Sequence, residues 1–141
     1  MFDILIIGGG PIGIACGLAA KKAGLSFLIV EKGCLVNSLY NYPSTMTFFS
    51  TSEKLEIGGI PFVTISNKPT RSEALEYYRR VATSNNLPVN LFEEVTGLVK
   101  ETGVFTITTS KATYNAKKSI LSPGFCDIAV TRHFSCEARR A

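Results

Sequence analysis

The chain has 141 residues, enough for one domain with its own core. Hydrophobic residues at 45% against 18% charged exclude an intrinsically disordered chain, and no apolar run reaches the ~20 residues of a membrane span. The net charge of +4 comes from dispersed lysines and arginines, so neither nucleic acid nor a membrane is an expected partner. The chain opens with the apolar run Phe2-Asp3-Ile4-Leu5-Ile6-Ile7, one buried strand in length. It lacks the basic n-region of a signal peptide. Gly8-Gly9-Gly10-Pro11-Ile12-Gly13 follows directly and spaces Gly8, Gly10 and Gly13 as G-x-G-x-x-G. The small residues Ala15, Gly17, Ala19 and Ala20 then favour a helix packed tightly on a sheet. Strand, glycine turn and helix in this order form the dinucleotide fingerprint. In it Gly8 allows the tight turn, Gly10 lets a pyrophosphate approach, and Gly13 lets the helix lie close to the strand. Free N–H groups at the helix start would hold the anion, and Pro11 removes one that has no helical partner. The helix is expected to stop at Ala23-Gly24. Phe27-Leu28-Ile29-Val30 reads as a second buried strand ending at Glu31, where an acid would grip a ribose hydroxyl.

Between Gly33 and Arg71 no 3.6-residue period persists, and Pro43, Pro61 and Pro69 punctuate a stretch rich in hydroxyl, amide and aromatic side chains. Such an excursion is more often functional than idle, and its composition suits a flat ring with polar edges such as a flavin. Phe48, Phe49 and Phe62 are equally open to being ordinary core. Thr70-Arg71-Ser72-Glu73 is a capping box. Ala74, Leu75, Tyr78, Val81 and Ala82 recur at helical spacing to about Asn85, with Arg79 and Arg80 on the solvated face. Val89-Asn90-Leu91-Phe92 reads as a third parallel strand running on to Glu93-Glu94. Val95–Lys100, Val104–Thr109 and Thr113–Asn115 read as a β-meander, and Ser119–Ser122 as a strand that re-enters the main sheet and stops at Pro123-Gly124. This is the element order of an α/β, Rossmann-like FAD-binding domain with a three-layer ββα build, a parallel sheet and a β-meander. Cys16, Cys34, Cys126 and Cys136 form no C-x-x-C, and His133 is the one histidine, so zinc-ligand spacing is absent. Reduced thiols and a cytoplasmic location are the expectation.

Three stretches carry a more specific likeness. They are Glu31-Lys32-Gly33-Cys34-Leu35-Val36-Asn37-Ser38, then Tyr40-Asn41-Tyr42-Pro43 with Met46-Thr47-Phe48-Phe49-Ser50-Thr51-Ser52-Glu53, then Lys68-Pro69-Thr70-Arg71 with Glu73-Ala74-Leu75-Glu76-Tyr77-Tyr78-Arg79-Arg80-Val81. Together with the fingerprint they resemble the bacillithiol-disulfide reductases, FAD- and NADPH-dependent flavoproteins related to thioredoxin reductase. The resemblance covers about residues 1–127. It implies that the turn Gly8, Gly10, Pro11, Ile12, Gly13 holds the FAD pyrophosphate and that Glu31 and Lys32 meet the adenosine ribose. It further implies that Asn41 and Thr47 lie near the isoalloxazine, that the backbone at Glu94-Val95 meets the adenine, and that Gly124 closes the flavin side. The sequence departs from the family in three places. Ile12 stands where the family often has a cysteine, with Cys16 one helical turn on. Ser122-Pro123-Gly124 replaces the usual Ala-Thr-Gly. The sequence stops before the family's second, NADPH-binding G-x-G-x-x-G domain, which is expected to be absent.

No side chain stands out as acid, base or nucleophile. The function that the resemblance implies is the FAD-binding part of an NAD(P)H-dependent pyridine-nucleotide-disulfide-type oxidoreductase. The alternative is a truncated fragment, non-catalytic or free of cofactor. Residues 128–141, with Arg132, His133, Arg139 and Arg140, lose both periodicity and resemblance, as a frameshift or an artificial boundary would produce. They are expected to be mostly disordered. The electron acceptor and any oligomeric state are not legible.

Overall fold

The strongest local signal, an apolar run on each side of a glycine-started helix, folds into the centre of the molecule. Strand β1 (Phe2–Ile7), helix α1 (Pro11–Lys22) and strand β2 (Phe27–Val30) form a βαβ unit, with β1 and β2 parallel from Ile4↔Phe27 to Ile7↔Val30. The computed structural model describes residues 1–124. The expectations for Cys126 and for residues 128–141, with His133 and Cys136, fall outside them. Four helices and six strands make up the described residues. After β2 come α2 (Asn37–Tyr40), α3 (Ser52–Leu55), α4 (Arg71–Ser84), β3 (Val89–Asn90), β4 (Val95–Glu101), β5 (Val104–Thr109) and β6 (Thr113–Leu121). The sheet order is β3-β2-β1-β6-β5-β4, parallel on the β3-β2-β1-β6 side and antiparallel through β6-β5-β4.

The strand β6 joins the two halves. Its first residues pair with β5 as far as Ala116, and from Ala116 to Leu121 it runs beside β1. The re-entering strand is thus continuous with the last meander strand, a correction to the two separate strands expected. Ala116-Lys117-Lys118 contains no glycine or proline to break the extended backbone between them. The expected third strand is also corrected. Pairing stops at Asn90, because Phe92 takes φ 53° and turns the chain. Phe92 and Glu93 then donate their N–H groups to Gly33 O (3.0 Å) and Glu31 O (2.9 Å) instead of continuing a ladder.

Two apolar layers flank the parallel strands. On the helix side Ile6, Phe27 and Ile29 pack with Ile14 and Ala20 of α1 and with Ala74, Tyr77, Tyr78, Val81 and Ala82 of α4. On the other side Leu5, Leu28 and Val30 pack with Ile107 and Ala116, joined by Leu98 and Phe105. Alternate residues of β2 therefore enter opposite cores, and this is why its four residues are all apolar. Helices, parallel strands and meander form the three layers of an α/β fold. The capping box is realised: Thr70 Oγ1 accepts from Glu73 N at 3.3 Å, and Thr70 N donates to Glu73 Oε2 at 2.8 Å. Arg79 and Arg80 lie on the exposed face as expected, paired with Glu76.

The excursion from Gly33 to Arg71 contributes two single-turn helices and is tied down by α4. Tyr77 Oη accepts from Ile57 N (3.0 Å) and donates to Ile60 O (2.7 Å), and Tyr78 Oη donates to Leu55 O (2.9 Å). Burial pushes the Tyr78 phenol up to about 12, with neighbouring Tyr77 acting in the same direction. Phe62 is core, stacked on Tyr77 with centroids 4.2 Å apart. Phe48 is half-buried against the same core, whereas Phe49 is 96% exposed.

Candidate functional site

The glycine turn is built by close approach at three positions and openness at a fourth. Gly8 leaves β1 at φ 110°, and a Cβ there would stand 2.2 Å from Ser122 O. A Cβ on Gly13 would stand 1.9 Å from Gly8 O, and one on Gly9 2.9 Å from Glu31 Cβ. At Gly10, by contrast, nothing among the described residues lies within 4 Å of that position. Gly10 is the N-cap of α1 with extended backbone, and Pro11 follows at the first helical position. Ile14 N donates to Gly10 O at 2.9 Å, so the Ile12 and Gly13 N–H groups precede the first intrahelical bond. No acidic residue sits in this first turn. The positive end of α1 thus borders open space suited to an anion. The close approach of helix to strand expected at Gly13 is made there, against the first residue past β1, and it recurs at Gly17, whose added Cβ would meet Ile29 Cδ1 at 2.8 Å.

The carboxylate of Glu31, 6% exposed, fastens two turns at once. Oε2 accepts from Gly9 N at 2.6 Å and Oε1 from Gly33 N at 2.9 Å. Each oxygen keeps a further lone pair for a hydroxyl donor. Lys32 is exposed beside it. Sequence reasoning missed Gly9, although the unbroken run of three glycines was its signal. It also missed Ser122, which ties the end of β6 to the turn: Oγ donates to Ile7 O (3.0 Å) and Gly8 O (3.2 Å). The serine side chain thus supplies local hydrogen bonding next to a proline that has no N–H.

Helix α2 stands over the turn. Val36, at φ 52°, donates its N–H to Gly9 O at 3.0 Å. An added Cβ on Gly124 would lie 3.4 Å from Ser38 Oγ, which brings the two chain ends of this region together. Asn41 caps α2, exposed, with Nδ2 donating to Asn37 O at 2.9 Å. Thr47 is exposed and bridges to Thr70. Val95 begins β4 opposite Thr109, two residues past the Glu93 N–H that bonds Glu31 O. Ile12 is 65% exposed at the helix start, whereas Cys16 is half-buried against the helix-side core.

Two titratable groups border this region. Burial pushes the Cys34 thiol up, and the Glu31 charge acts in the same direction, so Cys34 is not an activated thiolate. Glu93 is 2% exposed. Burial would raise it, but hydrogen bonds from Thr109 Oγ1 (2.6 Å) and Tyr114 Oη (2.9 Å), with Asn90 nearby, outweigh that and hold it below the usual glutamate range. Sequence reasoning read Glu93 only as a strand end.

Comparison with known proteins extends this geometry. The chain is 48% identical over 124 residues to bacilliredoxin reductase Bdr of Bacillus subtilis, covering 87% of this chain and 38% of that protein. Bacillithiol disulfide reductase Bdr of Staphylococcus aureus superposes with a TM-score of 0.85 at 46% identity, over 87% of this chain and 38% of that one. The Bacillus cereus enzyme of the same name also gives 0.85, at 38% identity, over 94% of this chain and 44% of that one. The chain thus spans well under half the length of these relatives. Residues 5–140 match the pyridine nucleotide-disulphide oxidoreductase profile, almost the whole sequence, and the chain belongs to that family.

Proposed function

We propose that this chain binds FAD and forms the flavin-binding part of an NAD(P)H-dependent oxidoreductase of the bacillithiol-disulfide and thioredoxin reductase kind. One observation carries the reading: a Cβ would strike backbone at Gly8 and Gly13 but meets open space at Gly10, beside the positive end of α1. A turn that served only packing would have no reason to leave that space. The likeness to Bdr proteins supports the choice of FAD over a nicotinamide cofactor. When bound, FAD supplies the redox chemistry between NADPH and a small disulfide. The protein residues would bind and orient it. Gly8, Gly10, Pro11, Ile12 and Gly13 would surround the pyrophosphate. Glu31 would accept ribose hydroxyls with its remaining lone pairs, beside Lys32. The Val95 backbone would face the adenine. Asn41, Thr47 and Gly124 would border the isoalloxazine. A cytoplasmic location belongs to the same proposal.

The test is reconstitution of the purified chain with FAD. A yellow protein whose flavin spectrum survives gel filtration supports the reading. A colourless protein that gains no flavin on titration refutes it. NADPH-dependent bleaching of that flavin in the longer protein would test the hydride donor.

A further inference from the structure

Arg71, the first residue of α4, turns its guanidinium back over the end of α2. Nε donates to Leu39 O at 3.0 Å and Nη2 to Tyr40 O. The same group lies 5.6 Å from the centroid of the Tyr40 ring. Its main-chain N–H donates to Met46 O at 2.9 Å, next to the Thr47–Thr70 bridge. One residue therefore holds both stretches, around Asn41 and around Thr47, that the FAD reading sets beside the isoalloxazine. Helix α2 has four residues and cannot hold its shape alone. Its start is fixed by Val36 N–H on Gly9 O. Its end carries the negative pole of the peptide dipoles, which a cation bonded to the last carbonyls satisfies.

We propose that Arg71 is a positioning residue for the flavin end of the site, setting the spacing between Asn41 and Thr47 without contributing to the ADP end. This rests on the FAD reading above. The two ends can be separated by ligand. ADP reaches the glycine turn, Glu31 and the Val95 backbone, whereas FAD also needs the ring site. The experiment measures ADP and FAD affinity by calorimetry on the full chain, with the visible circular dichroism of the bound flavin, for wild type, Arg71→Met and Arg71→Lys. Arg71→Met is expected to bind ADP as wild type does, to bind FAD about tenfold more weakly for the loss of charge-assisted hydrogen bonds, and to change the flavin dichroism. Arg71→Lys should fall between, because an ammonium does not span two carbonyls as the planar fork does. Unchanged FAD affinity and dichroism in Arg71→Met would overturn the proposal. So would equal losses for ADP and FAD, which would mark a general destabilisation. A wild-type chain that binds neither ligand would overturn the FAD reading itself.

Discussion

Gly13 and Glu31 show how the turn divides its demands among single residues. Gly13→Ala would put a methyl 1.9 Å from a backbone oxygen that cannot move aside without opening the turn. It is expected to lower the melting temperature of the ligand-free chain, by about 1–3 kcal/mol of stability in line with overpacking, as thermal unfolding would measure. Glu31→Gln replaces one of two acceptors with a donor that would face the N–H of Gly9 or Gly33. Loss of such a buried acceptor costs about 1–3 kcal/mol. The variant should therefore lose stability before any ligand is added and lose FAD affinity as well. An unchanged melting temperature would show that the carboxylate does not hold the turn. Gly8, Gly10, Gly13 and Glu31 were legible in the sequence because each has a steric or charge requirement tied to spacing, whereas the part of Gly9 was missed. The Glu31 clamp on Gly9 was not legible, because a hydrogen bond between residues 22 apart leaves no local pattern.

Elements bounded by capping or by apolar runs were read closely from sequence, and those ended by tertiary contacts were not. Helix α4 begins at its capping box, and β1, α1 and β2 fall where their patterns placed them. Thr70→Ala removes the acceptor for Glu73 N and should cost about 1 kcal/mol. Because Thr70 also bridges to Thr47, the loss should appear in hydrogen exchange both at the start of α4 and in residues 46–48. Protection lost at the helix alone would show that the bridge is incidental. The third strand was overread for a physical reason. Leu91 and Phe92 are strand formers by composition, but Phe92 adopts a left-handed turn so that Glu93 can bond Glu31 O. In the excursion, Phe48, Phe49 and Phe62 look alike in sequence. They separate only through their neighbours, as Phe62 finds the Tyr77 ring and Phe49 finds none among the described residues.

At the scale of the whole molecule, two apolar layers share the parallel strands of one mixed sheet, and the buried Glu93 joins the end of β3 to the meander through Thr109 and Tyr114. Its carboxyl is held below the ordinary range in the folded state. The stability it contributes is thus fully present above the unfolded glutamate value near ~4.3 and is lost as pH falls through the depressed folded value. Glu93→Gln should flatten the acid limb of the stability curve below about pH 5, and an acid limb as steep as wild type would exclude Glu93 as its source. The central claim is that the open space at Gly10 is shaped for a pyrophosphate, and Gly10→Val tests it most directly, because among the described residues no atom stands where the new Cβ would go. FAD titration and thermal unfolding of wild type and Gly10→Val should give a folded variant with an unchanged ligand-free melting temperature. FAD at 100 times its dissociation constant should stabilise wild type by about 2.7 kcal/mol and leave the variant unmoved. Equal FAD affinity in the two chains would contradict the account.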